Sequence, residues 1–378
     1  MSFVVAVVGA RGVLDVGQAI VSHHEDLWCD LGAQAISGAH ILVDPNFHAQ
    51  SFRSGCLRYH YTPDWKYYPD SAIISSDMTK QKQPNPKPIF VLLYYKFVQV
   101  PNPEFEAAQH KLVCKGIGIL GRILIAEEGI NGTVAGTRAQ LKEYIRYMNA
   151  HPQFNDIVFK WSPAPRMPFH KLIVKKRDEI VTLGREVDMS KTAAYLKPEE
   201  LHEMFEKGEN MVLVDMRNDY EYKVGRFKDA IQPKTDKFYE LPEKVKNVKI
   251  PKGAKAVTYC TGGIRCEKAS ILLKEQGVED VYQLEGGIVK YLEKFPNGYF
   301  EGKNFVFDDR LTLAPDTEAG NKVLATCEHC GKPSDRYIDC TKPDCHQLFI
   351  CCEDCEAKHE GMCPVAVKDS QLALSKRN

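Results

Sequence analysis

A cysteine on a glycine turn, set between a short apolar run and a longer apolar stripe, constrains this chain most. The stretch is Tyr259-Cys260-Thr261-Gly262-Gly263-Ile264-Arg265-Cys266-Glu267-Lys268. Ala256-Val257-Thr258-Tyr259 before it reads as a buried strand, and Ala269-Ser270-Ile271-Leu272-Leu273-Lys274 after it as a helix. Strand, turn and helix in that order aim main-chain N–H groups and the positive end of the helix dipole at the sulfur. Both favour a thiolate, so Cys260 is expected to be acidic and nucleophilic. Arg265 adds a fixed positive charge to the same loop. Only Thr261, Gly262, Gly263 and Ile264 separate it from the cysteine. A cysteine phosphatase needs one residue more to wrap a phosphate, so this smaller ring suits a sulfur atom carried on the cysteine better than a phosphoryl group. Packing alone gives no reason for two glycines and an arginine at these offsets.

The loop resembles the active site of the rhodanese family, whose cysteine carries a persulfide. Val212-Leu213-Val214-Asp215-Met216-Arg217-Asn218-Asp219-Tyr220-Glu221-Tyr222 resembles that family's strand and turn, and Leu284-Glu285-Gly286-Gly287-Ile288-Val289-Lys290-Tyr291 its closing glycine turn. Gly225-Arg226-Phe227 departs from the Gly-His-Ile of most members. The resemblance implies a parallel α/β domain over residues 195–297.

The tail carries a second chemistry. The chain has 13 cysteines, and eight fall in its last fifty-two residues: Cys327, Cys330, Cys340, Cys345, Cys351, Cys352, Cys355 and Cys363. Close paired thiolates are what tetrahedral zinc requires, and in a chain this long they fit metal binding in a reducing cytosol better than disulfides. Two four-ligand sites over residues 325–364 are expected. Their pairing is open, as is replacement of Cys351 or Cys352 by one of His329, His346 and His359. The expected role is structural, because so short a segment builds little core.

Upstream, Phe90-Val91-Leu92-Leu93-Tyr94-Tyr95-Lys96-Phe97 reads as a strand. Asn102 and Pro103 open a helix, Gly121 to Ala126 is a strand, and Glu127 to Gly136 a turn and strand. Thr137 caps a helix running through Asn149, and Phe154 to Trp161 and Lys171 to Val174 supply further strands. That order predicts a ferredoxin-like α/β sandwich over residues 88–184. Residues 89–184 hold thirteen Lys or Arg against eight Asp or Glu. Lys171, Lys175, Lys176 and Arg177, with Trp161 and Phe169, suggest a face for structured RNA. Glu127 to Gly132 suits contact with a ligand. Residues 185–200 read as a connection, with a helix from Lys197 onward.

No family resemblance is read in residues 1–87. Val4 to Val8 suggests a strand and Gly9-Ala10-Arg11-Gly12 a turn, then no period is sustained. His23, His24, Trp28 and Cys29 read as incidental surface, and Lys80 to Pro88 as an extended linker. This part is expected to be a poorly ordered extension, with Met78 nearer the functional start.

Three pieces occur together in order: Ala126-Glu127-Glu128-Gly129-Ile130-Asn131-Gly132-Thr133, Lys176-Arg177-Asp178-Glu179-Ile180-Val181-Thr182-Leu183-Gly184, and Cys260 to Lys268. Together they resemble the bacterial tRNA uridine hydroxylase (TrhO) family over residues 89–363. The resemblance implies an oxygen-dependent oxidoreductase that makes 5-hydroxyuridine at the wobble position of tRNA, with Cys260 as its essential cysteine. The competing expectation is a sulfurtransferase that passes sulfane sulfur from a Cys260 persulfide, and a third is an RNA-binding module without chemistry. Molecular oxygen would be the co-substrate. No organic cofactor is identified, since the chain shows neither a phosphate-binding glycine fingerprint nor an iron-type facial triad. No apolar run reaches the ~20 residues of a membrane span, no basic leader precedes Val4, and a cytoplasmic location is expected. The formal net charge of +0 suggests no nucleic-acid partner by itself, because it averages over domains. Oligomeric state is not legible.

Overall fold

The computed structural model describes residues 6–9, 12–15, 48–51, 57–60 and 87–375. The chain divides into two compact units, Met1–Gln83 and Pro84–Asn378. In the first, β1 (Ala6–Gly9) pairs antiparallel with β2 (Gly12–Asp15), and β3 (His48–Ser51) with β4 (Leu57–His60). Gly9 pairs with Gly12 across β1 and β2, and the turn expected there, through Ala10 and Arg11, lies outside the described residues. The expectations for His23, His24, Trp28, Cys29 and Met78 lie outside the described residues.

The second unit opens with β5 (Ile89–Phe97), α1 (Pro103–Ile117), β6 (Leu120–Ala126), β7 (Gly129–Thr137), α2 (Arg138–Ala150), β8 (Lys160–Ala164) and β9 (Leu172–Lys176). Local chemistry sets the helix ends. The Asn102 side chain accepts from the Phe105 amide at 3.0 Å, Pro103 begins α1, and Gly118 ends it with a φ of 80°. Thr137 and Gln140 form a reciprocal cap on α2. The sheet order is β8-β5-β7-β6-β9. Its first four strands have ferredoxin-like order, and β9 adds a parallel edge beside β6. Leu92, Tyr94, Ile123, Ile125 and Val134 pack under α1 and α2 with Leu141, Tyr144 and Met148.

Three differences from the sequence reading have physical causes. Phe154 belongs to no strand: it is fully buried in a turn, its ring stacked on His151 at 4.3 Å, and the strand starts at Lys160. Trp161 sits on β8, at the opposite edge from the lysines of β9, and Arg138 lies 5.3 Å from its ring centroid. The segment read as a connection contains β10 (Ala194–Leu196), an edge strand of the next sheet.

That sheet is parallel throughout, in the order β10-β14-β13-β11. Its elements are α3 (Pro198–Lys207), β11 (Met211–Asp215), α4 (Asp219–Val224), β12 (Gly225–Phe227), α5 (Leu241–Lys244), β13 (Lys255–Tyr259), α6 (Ile264–Glu275), β14 (Val281–Leu284) and α7 (Gly287–Lys294). Asp215 pairs with Tyr259, so the carboxyl ends of β11 and β13 lie side by side, where open α/β sheets gather their sites. Residues Arg265 to Leu273 of α6 are all buried, which marks it as an internal helix.

The chain then forms β15 (Phe300–Gly302), β16 (Asn304–Phe305), β17 (Thr312–Leu313), β18 (Tyr337–Asp339), β19 (Leu348–Ile350), α8 (Glu353–Lys358) and α9 (Pro364–Ser375). Among the described residues no helix is long and apolar enough to cross a membrane.

Candidate active site

Cys260 ends β13, and the amide of Gly263 donates to its sulfur at 3.1 Å. Gly263 reaches this position with a φ of 105°, a conformation that side chains resist. Burial alone would raise the Cys260 pKa. A hydrogen bond from the Cys266 thiol, the charge of Arg265 and the amides of Arg265 and Gly263 outweigh it and bring the value down to about 5. Cys266 moves the other way: burial and the adjacent Cys260 push its thiol well above the ordinary range. Cys260 is therefore the thiolate of the pair.

Arg265 is fixed by Glu221 of α4. Its Nη1 lies 2.5 Å from Glu221 Oε2 and its Nη2 2.8 Å from Oε1, a two-point pairing with strong geometric preference. Thr261 Oγ1 donates to the same carboxylate at 3.2 Å. Ile264 begins α6 and lines the cavity described below. The glycine turn before α7 closes the loop from below. The Ile288 amide donates to the Cys260 carbonyl at 3.0 Å and the Val289 amide to the Thr261 carbonyl at 3.1 Å.

The other wall comes from the ferredoxin-like sheet. One face of that sheet packs on its helices, and the other faces the cysteine loop. The register puts Leu93 opposite Thr133, Tyr95 opposite Asn131, and Arg122 opposite Thr133, all on this second face. A methyl group on Gly262 would meet Leu93 Cδ2 at 2.9 Å, and one on Gly263 would meet the Tyr95 hydroxyl at 2.8 Å. Both glycines thus serve the approach of β5 as well as the turn. Tyr95 is anchored by donating to Glu267 at 2.9 Å. Between the walls lies a cavity of about 290 Å³, lined by Cys260, Thr261, Gly262, Ile264 and Arg265 below and by Leu93, Tyr95, Arg122, Asn131 and Thr133 above. Its volume is near the lower end of the ~300–1,000 Å³ usual for small-molecule sites. A sulfur that attacks a nucleobase must lie within reach of one that is unstacked. Cys260 lines this cavity but exposes none of its own surface, and Leu93 and Tyr95 of β5 pack on the glycine turn beside it.

The three sequence pieces that carried the tRNA uridine hydroxylase resemblance converge on one ammonium. Lys268 Nζ lies 2.9 Å from Glu128 and 2.6 Å from Glu179, and it donates to the Val181 carbonyl at 3.3 Å. Glu128 also accepts from the Ile180 amide at 2.8 Å, and Asn131 Nδ2 donates to the Ile180 carbonyl at 2.9 Å. Of the turn expected to meet a ligand, Asn131 lines the cavity and Glu128 holds the domains together. Sequence reasoning missed Leu93, Tyr95 and Arg122. The signal was available in β5, where an uninterrupted apolar run indicates a strand covered on both faces.

In the tail, Cys327, Cys330, Cys352 and Cys355 bring four sulfurs within 4.8 Å of one another, and Cys340, Cys345 and Cys363 bring three. The donor sets fit a metal ion. Cys330 and Cys352 sulfurs are 3.7 Å apart and those of Cys345 and Cys363 3.8 Å, close to the ~3.8 Å edge of a tetrahedron with ~2.3 Å metal–sulfur bonds. Cys351, expected as a ligand, lies outside both groups: it is buried, and its thiol donates to the Cys352 carbonyl at 3.4 Å.

A cysteine loop of rhodanese type, roofed by a ferredoxin-like sheet and followed by a cysteine-rich unit, defines the class of protein. Family models agree with these parts. "UPF0176 acylphosphatase like domain" matches residues 89–180, "Rhodanese-like domain" residues 197–294, and "Rhodanase C-terminal" residues 301–366. A "tRNA uridine(34) hydroxylase" of Bacillus licheniformis is 43% identical over 279 residues, covering 72% of this chain and 86% of its own. One from Cytophaga hutchinsonii is 42% identical over 275 residues, covering 72% and 88%. The rhodanese-like domain of an Anabaena protein, solved in solution, is 23% identical over 29% of this chain and 78% of its own, with a TM-score of 0.24. The chain belongs to the tRNA uridine(34) hydroxylase family.

Proposed function

We propose that this protein hydroxylates carbon 5 of the wobble uridine of tRNA, with Cys260 as the reacting group and molecular oxygen as co-substrate. Family membership supports the reaction. The observation that carries the residue assignment is the Cys260 sulfur held by the Gly263 amide on the wall of a cavity with polar groups on the opposite wall.

Carbon 5 of uracil is a poor carbon nucleophile. Addition of the Cys260 sulfur to carbon 6 places enolate character at carbon 5, which then bonds to oxygen. Protonation gives a hydroperoxide. Two thiols reduce it to the alcohol and water as they become a disulfide, and loss of the carbon 5 proton with expulsion of the Cys260 thiolate restores the ring. The sum is uridine, one O₂ and two thiols giving 5-hydroxyuridine, one water and one disulfide. The loop amides and Arg265 stabilise the sulfur as an anion before addition and after expulsion. Entry of the base requires β5 and the glycine turn to part.

The metal of the tail is inferred to be zinc with a structural role, since all seven clustered donors are thiolates. A tRNA substrate places the reaction in the cytoplasm.

The test is nucleoside mass spectrometry of tRNA from a host lacking its own enzyme and carrying this gene. Wild-type protein should produce 5-hydroxyuridine and Cys260→Ser should not. Product formation by Cys260→Ser would overturn the residue assignment. Unmodified tRNA with wild-type protein, accompanied by rapid sulfur transfer from thiosulfate to cyanide, would favour the sulfurtransferase reading.

A further inference from the structure

The hairpin of β16 and β17 carries an exposed aromatic ring to the mouth of the Cys260 cavity. Phe307 retains 54% of its surface, yet it lines that cavity, and its ring centroid lies 5.8 Å from the Arg265 guanidinium. A lone exposed phenylalanine is ordinary on a protein surface. This one is unusual in how firmly its loop is held. Leu311 adopts a φ of 55°, rare for a bulky residue, and its amide donates to the Asp308 carbonyl at 2.8 Å. Arg310 ties the loop to β8 through Ser162 at 2.9 Å and Pro163 at 3.0 Å, and the Asp309 amide donates to Pro168 at 3.1 Å. Phe305 beneath is buried, with its ring 5.4 Å from that of Phe307.

A second, more open cavity of about 660 Å³ adjoins the first, and Arg122 and Phe307 line both. Two of the acids in this outer wall are already engaged: Asp308 by Arg310, and Asp309 by His170 at 3.0 Å. Asp339 is the remaining acid, against the exposed Arg122 and Arg166. A rigid aromatic face beside exposed guanidinium groups is how proteins hold an unstacked nucleotide, by stacking its base and pairing its phosphate.

From this juxtaposition we infer that Phe307 stacks on the nucleobase entering the Cys260 cavity while Arg122 holds its phosphate. The proposal rests on the tRNA reading above and names the entrance that reading leaves unassigned.

The experiment measures binding of a fluorescently labelled RNA hairpin with a uridine in its loop, by anisotropy across a salt series, alongside 5-hydroxyuridine formation on tRNA. Phe307→Ala should weaken binding roughly five- to 150-fold, the range that alanine substitution produces at stacked bases, with Phe307→Trp restoring it. Arg122→Gln should lower the salt slope by about one. The thermal midpoint of Phe307→Ala should equal that of wild type, since the ring is over half exposed. Wild-type affinity in Phe307→Ala would overturn the proposal. Failure of wild-type protein to make 5-hydroxyuridine would overturn the hydroxylase reading instead, and the binding comparison would still decide the entrance.

Discussion

Lys268 on α6 and Glu179 at the end of the ferredoxin-like domain meet at 2.6 Å, with Glu128 on the other side of the same ammonium. The lysine side chain is only 3% exposed, so the contact is an internal rivet between the two walls of the site. Removing the ammonium leaves two facing carboxylates. Lys268→Met should therefore cost on the order of 3 kcal/mol in urea unfolding, with activity lost because the roof shifts over Cys260. Burial opposes the Glu179 carboxylate, but Lys268 and the amides of Leu183 and Gly184 hold its pKa below the usual range. A depressed carboxylate stabilises above its unfolded pKa and ceases to as pH falls through its folded one. The wild type should lose this increment on acidification and Lys268→Met should lose less, since only the Leu183 and Gly184 amides remain to hold the carboxylate. Equal stability of the two proteins at neutral pH would refute the rivet.

The Cys260 pKa of about 5 sets a second expectation. An ordinary thiol, with a pKa near ~8.5, is almost wholly protonated at pH 6, whereas Cys260 is ionised there. Alkylation by iodoacetamide should therefore level off from about pH 6 upward, with a midpoint near 5. The rate should also be limited by access, because Cys260 is buried. Leu93→Ala, which removes the side chain over Gly262, should speed it. A midpoint above 8 in the pH profile would remove the thiolate from the argument.

The loop geometry was legible because it is local. Strand, glycine turn and helix follow one another within residues 256–274, and the amide cradle is a consequence of that order. The ferredoxin-like order was legible for the same reason, through caps at Asn102 and Thr137 and the apolar run of β5. What was hidden is long-range. Nothing near Tyr95 announces that Glu267 will receive its hydroxyl, and nothing near Phe307 announces the mouth of a cavity made by distant residues. Phe154 was misread because burial of an aromatic ring in a turn and burial in a strand leave the same apolar mark.

The closing glycine turn gives a sharp steric test. Gly287 has a φ of 65°, and a methyl group there would lie 2.4 Å from the Cys260 carbonyl oxygen and 2.7 Å from that of Thr261. Both carbonyls accept amides from α7, so neither can retreat without breaking its bond. Gly287→Ala should cost about 1–3 kcal/mol, as strained backbone positions do, and should displace Cys260 from its amide cradle. Product formation should fall more than stability implies, and the alkylation midpoint should rise toward that of a free thiol. A Gly287→Ala protein with the wild-type midpoint would show that the turn does not set the sulfur.

The tail separates ligands from bystanders. Elemental analysis of purified protein should find two zinc ions per chain, one for the four-sulfur group and one for Cys340, Cys345 and Cys363. Cys352→Ser should lose one of them, since it removes a sulfur 3.7 Å from Cys330. Cys351→Ser, adjacent in sequence but outside both groups, should keep two. That contrast distinguishes a metal site from a general effect of losing a buried thiol, because Cys351 is the more buried of the pair. Chelation should lower the unfolding temperature, since binding energy that exists only in the folded tail is folding energy. The Cys260 alkylation midpoint should stay put under chelation, because the cradle is built from β13, α4, α6 and α7 alone. A shifted midpoint would make the metal a partner in the chemistry rather than a support for the tail.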